Sequence, residues 1–186
     1  MRSVTAQASD PRPLAGEPLA LDLLNTQWLA SGTPVDLLET QDGTQAWLQA
    51  AGIAAAPAPE TRQALIAARQ AIRDVLTQQD NTEALGRINT VLGHGRLRLS
   101  LDPPRSPAKT LEADGPAWEP AVRAAVNLLD LLEQAPERIR QCQHPVCVLW
   151  FYDTTRNATR RWCSMATCGN RAKAQRHYQR ARQPPS

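Results

Sequence analysis

Four cysteines, Cys142, Cys147, Cys163 and Cys168, are confined to a short stretch of a 186-residue chain in the pattern C-x4-C-x15-C-x4-C. Two close pairs separated by a longer loop let two turns deliver four thiolates to one tetrahedral ion. His144 and Pro145 in the first gap, and Ala166 and Thr167 in the second, suit such turns. The spacing favours one Zn2+, although x4 gaps are wider than the usual x2. Iron stays open, because an all-thiolate site does not exclude it. Disulfides are disfavoured: Met1–Ala6 lacks the apolar core of a secretion signal, and the cytoplasm expected for the chain keeps thiols reduced. Four unrelated buried cysteines would not cluster in this way. His144 and His177 could each replace a ligand, but ordinary surface histidines are the simpler account.

Charge divides the chain at the same place. Residues 1–137 carry 11 Lys and Arg against 17 Asp and Glu, a net of −6. Residues 138–186 carry 10 against the single acid Asp153, a net of +9. This asymmetry separates an acidic body, 1–137, from a basic module, 138–186. No apolar run reaches the roughly 18–20 residues of a membrane span, so a protein of the cytoplasm without a membrane partner is expected.

The acidic body reads as mainly helical. After a Pro-rich lead-in over 1–18, apolar spacing predicts helices over 19–29, around Trp47 and Leu48, over 60–78, over 82–92 and over 116–134. Arg96–Leu101 alternates basic and apolar residues and predicts a strand, with Lys109–Ala113 as its partner in one small β-hairpin. The fold class is therefore mainly α: a helical N-terminal domain with one hairpin, then a four-cysteine zinc finger ending in a basic helix. Asp22, Asn25 and Thr26 lie at i, i+3 and i+4 on an otherwise apolar helix. They are the candidate ligand residues for a small-molecule effector, against the simpler role of pinning a neighbouring element.

After Cys168 the run Gly169–Arg182 is a good helix former with Tyr178 as its one large apolar side chain and no carboxylate. Lys173, Arg176 and Arg180 share a face, and Arg156, Arg160 and Arg161 come from the preceding loop. Arg171 and Arg182 fall off that face; cations without internal partners suit phosphates, an Arg guanidinium can also read guanine edges, and Asn170 or Gln175 could address adenine. Asp153 and Trp162 read as structural, the first holding a knuckle and the second covering the metal.

These residues resemble a bacterial family. Arg160–Lys173 is similar to the CGNR-type zinc finger, named for the tetrapeptide at Cys168–Arg171, and Cys142, Cys147 and Phe151–Asp153 fit the same pattern. The stretch Asp10-Pro11, Gly16–Thr26, Asp36–Leu38 and Trp47-Leu48 resembles the ABATE domain that precedes such fingers. The resemblance implies a stress-induced transcriptional regulator, with the finger on DNA and the N-terminal domain sensing a ligand.

No nucleophile elbow, metalloprotease motif, phosphate loop or dinucleotide fingerprint occurs, so a non-enzyme is expected. The leading expectation is a zinc-containing, DNA-binding transcriptional regulator, stress- or ligand-responsive. One finger makes few base contacts, which favours a homodimer. The alternatives are a zinc-stabilised protein-interaction module whose basic helix docks on an acidic partner, an enzyme or thiol redox switch, and RNA in place of DNA.

Overall fold

The computed structural model describes residues 10–78 and 81–182, and the backbone alone at 176, 177 and 179–182. The chain runs α1 (Leu19–Leu24), β1 (Gln27–Ala30), β2 (Thr33–Asp36), α2 (Gln41–Ala50), α3 (Pro59–Thr77), α4 (Thr82–Gly93), β3 (Gly95–Asp102), β4 (Ser106–Ala113), α5 (Glu119–Gln134), β5 (Ile139–Gln141), β6 (Trp150–Tyr152) and α6 (Asn170–Arg182). The strands pair as three antiparallel hairpins, β1–β2, β3–β4 and β5–β6.

The longer helices follow their sequence signals. In α3 the stripe Leu65, Ala68 and Ile72 is fully buried, and α3 packs against α4 and α5. Each fully buried Leu or Ile contributes about 1.5–3 kcal/mol. The side chain of Thr40 caps α2 by accepting from Gly43 N–H at 3.0 Å. Asn81 caps α4 through Glu83 N–H at 2.9 Å. At position 43 an added Cβ would lie 1.9 Å from the Leu37 carbonyl oxygen, so only glycine lets α2 start this close to the turn before it.

Two departures from the expected fold matter for function. The helix expected over 19–29 stops at Leu24, and Trp28 lies in β1 instead. The cause is a two-residue hairpin turn: Ser31 and Gly32 take φ of 52° and 88°, as a type I′ turn requires. A second unexpected hairpin, β5–β6, lies inside the cysteine module, so there are three hairpins rather than one.

The buried core is continuous from body to module. Leu21, Leu24, Trp28 and Trp47 join Leu149, Trp150, Phe151 and three of the cysteines in one apolar cluster. Asn25, wholly buried, clamps the joint with its amide. It donates to the Trp150 carbonyl at 2.9 Å and accepts from Trp150 N–H at 2.8 Å, pairing like a neighbouring strand. Glu17 accepts from Tyr152 N–H at 2.9 Å.

Candidate metal centre and the surface around it

Cys142 directly follows β5, and Cys147 stands in the loop leading back to β6. Within that loop Cys147 N–H donates to the His144 carbonyl at 2.8 Å, and Cys142 N–H to the Leu149 carbonyl at 2.9 Å. Of the second pair, Cys163 stands just before, and Cys168 within, a wide π-type turn over Met165–Gly169 that runs into α6. Gln143 N–H donates to the Arg161 carbonyl at 2.9 Å and ties the two knuckles together.

The four sulfurs lie within 4.8 Å of one another. Cys163 Sγ is 3.7 Å from Cys147 Sγ and 3.6 Å from Cys168 Sγ. Four thiolates around zinc at about 2.3 Å would be about 3.8 Å apart along each tetrahedral edge, so the donor set fits the ion. Cys163 N–H also points at Cys142 Sγ, at 3.4 Å, adding a hydrogen bond that supports a thiolate.

Without a cation Cys147, Cys163 and Cys168 are drawn to different ionisation states. The Cys163 thiol, donating to Cys147, brings the latter down to about 5. Cys163 is pushed up, first by that contact and then by burial. Burial is the main cause that lifts Cys168 to about 11. A divalent ion removes this conflict by neutralising the thiolates together.

His144 does not join the cluster, and its buried Nδ1 has no hydrogen-bond partner among the described residues. The side chain of His177 lies outside the described residues. Asp153, with no exposed surface, organises the loop between the knuckles. It accepts from Thr155 N–H and Oγ1 at 2.9 and 2.6 Å and from Arg160 N–H at 2.7 Å. Burial alone would raise its pKa. The hydrogen bonds from Thr155 and Arg160, with Arg140 nearby, outweigh burial and hold it below the usual carboxylate range. Trp162, half-buried, packs against the core beside the metal ligands.

The basic residues divide into two groups. Arg160 is a strut: its guanidinium donates to the Trp162 and Cys163 carbonyls at 3.0 and 2.6 Å. It also lies 4.2 Å over the Phe151 ring and reaches Glu17 at 3.4 Å. Arg156, Arg171 and Lys173 are exposed, and among the described residues none has a hydrogen-bonded or ion-paired side chain. Arg161, also exposed, holds the Gln143 amide oxygen at 2.6 Å. Asn170 is exposed and donates weakly to the Ala166 carbonyl, at 3.3 Å. The side chains of Arg176 and Arg180 lie outside the described residues.

Asp22, Asn25 and Thr26 do not converge on a common point. Asp22 pairs with the buried Arg12 and accepts from Trp47 Nε1 at 3.1 Å and Gly16 N–H at 2.8 Å. Asn25 faces Trp150. Thr26 accepts from Arg69 at 2.8 Å. All three are buried and hold neighbouring elements together, the simpler of the two roles weighed for them. The buried Arg12 has no local sequence signal beyond the acidic neighbour Asp10, which it pairs with.

Four thiolates on two linked knuckles, followed at once by a helix, define a zinc finger, and residues 138–181 match the model of the CGNR zinc finger. The finger takes one Zn2+. Residues 17–134 match ABATE, described as "Putative stress-induced transcription regulator", and the chain belongs to this family. No curated protein matches it. No helix among the described residues is long and apolar enough to cross a membrane.

Proposed function

We propose that the chain is a non-enzymatic, zinc-dependent, DNA-binding transcriptional regulator that works in the cytoplasm under stress or ligand control. The observation that carries this reading is the set of exposed, unpaired cations, Arg156, Arg171 and Lys173, on a finger whose fold the metal fixes. Solvated cations with no internal partner are free to displace counterions from a phosphate backbone. Arg171 and Asn170 stand at the start of α6, beside the ligand Cys168, where the metal limits their motion and suits them to base edges. Arg160 keeps its place in the reading as the group that shapes the loop.

A homodimer belongs to the same reading, since two fingers double the base contacts available. The row Leu97, Leu99 and Leu101 on β3, each at least 60% exposed, supports a further protein contact.

The test is selection of genomic fragments by zinc-loaded protein, run beside random duplex and duplex RNA at two salt concentrations. A regulator enriches a few genomic sequences at the higher salt. Equal retention of all duplexes, or none, would overturn it. Preference for RNA would replace DNA as the partner.

A further inference from the structure

A cavity of about 480 Å³ lies at the joint between the helical body and the finger. That volume is within the range of small-molecule sites. Trp28, Leu29 and Val35 from β1–β2 line one side, and Val148 and Trp150 from the finger line the other. Arg73, near the C-terminal end of α3, is the basic residue in the lining.

Arg73 is half-buried and donates to the Gln27 amide oxygen at 2.7 Å. Among the described residues no carboxylate comes within ion-pair distance of its guanidinium. The nearby Asp36 is already committed: both its oxygens hold Arg69, each at 2.6 Å. Burial first, and the like charge of Arg69 second, draw the pKa of Arg73 below its ordinary value. A partly desolvated guanidinium with a neutral partner, beside two tryptophans, is a strong donor to a planar anion. The carboxylates of Asp36 and Glu39 on the same wall disfavour a ligand with more than one negative charge.

We propose that this cavity binds a small monocarboxylate with a flat apolar body, its carboxylate on Arg73 and its body against Trp28 and Trp150. The walls are held in advance, because Asn25 locks Trp150 to the end of α1, which lowers the ordering cost of binding. A ligand seated here touches the body and the segment that delivers Cys147, so occupancy and finger order are linked. The site does not depend on DNA being the partner of the finger.

The test is calorimetric titration of full-length, zinc-loaded protein with 2-naphthoate, 2-naphthamide, 2-naphthylmethylamine and inorganic phosphate. The expected result is one 2-naphthoate per chain, the amide weaker by about tenfold or more, and no binding of amine or phosphate. Arg73→Met should remove the advantage of the acid over the amide, and Arg73→Lys should restore part of it. Val148→Trp, a change at an exposed position, fills the cavity and should abolish binding of both. Should Arg73→Met fail to fold, the matched ligands and Val148→Trp still decide. Equal affinity for acid and amide, no binding of 2-naphthoate at millimolar concentration, or full binding by Val148→Trp would each overturn the proposal.

Discussion

The helical body and the cysteine module reach stability by different means. In the body, α1, α3 and α5 bury long apolar stripes against one another. In the module the strands are three residues each, and its buried apolar side chains share one cluster with those of the body. The finger therefore depends on two outside agents, the ion and the body. Both act on the same short segment: Leu149 and Trp150 lie two and three residues after Cys147, and Asn25 holds Trp150.

The largest effect should come from removing the metal. Structural zinc in small fingers is worth about 10–16 kcal/mol, so stripping it, or Cys163→Ser, should unfold residues 142–169 while α3 and α5 persist. Hydrogen exchange should show amide protection lost in the module alone, and global unfolding would break the contrast drawn between the regions. Reloading should release at least two protons per zinc near pH 7. In the unfolded, metal-free module the cysteines return to the ordinary thiol value of about 8.5 and are mostly protonated before metal enters. Zinc affinity should therefore fall as pH falls. Calorimetry in buffers of different ionisation enthalpy measures the release, and zero protons would contradict the charge account.

Within the body, Arg69→Met should cost about 3–5 kcal/mol, because it strands Asp36 partly buried without its bidentate partner. Denaturant unfolding of zinc-loaded protein reads this, with finger cysteines still fully coordinated. Asp36 adds a pH signature. Burial would raise its pKa, but the hydrogen bonds and charge of Arg69 hold it lower. Its contribution is thus present above the unfolded carboxylate value near about 3.9 and lost as pH falls through the lower folded value.

At the joint, Asn25→Ala leaves the buried N–H and C=O of Trp150 unpaired, a loss of about 2–4 kcal/mol. Loss of exchange protection at Trp150 and faster zinc loss should accompany it. A drop in body stability with no change in zinc retention would show that the regions are not coupled. The smallest effect belongs to the exposed pair Arg87–Glu83 on α4, where Glu83→Gln should change stability by less than about 0.5 kcal/mol.

What the sequence made legible follows from how local each signal is. The cysteine spacing and the stripes of α3 and α5 depend on near neighbours, and the chain displays them openly. The hairpin β1–β2 was hidden because Leu23, Leu24 and Trp28 also fit helical spacing, though Ser31-Gly32 was a readable turn signal. The roles of Asn25 and Arg160 were beyond local reading: their partners Trp150 and Glu17 lie 125 and 143 residues away in the chain. For the same reason Arg160 resembled its exposed neighbours, although only Arg156, Arg161, Arg171 and Lys173 are exposed among the described basic side chains of the candidate surface.

The central claim is that metal-fixed, unpaired cations on the finger engage DNA. The most direct measurement is fluorescence anisotropy of a labelled duplex across a salt series, comparing zinc-loaded protein with Arg171→Glu/Lys173→Glu at equal zinc content. The account predicts that the logarithm of affinity falls linearly with the logarithm of salt. It also predicts that the double variant loses most of its affinity and that its slope is shallower by about two phosphate contacts. Unchanged affinity and slope in a fully metallated double variant would contradict it.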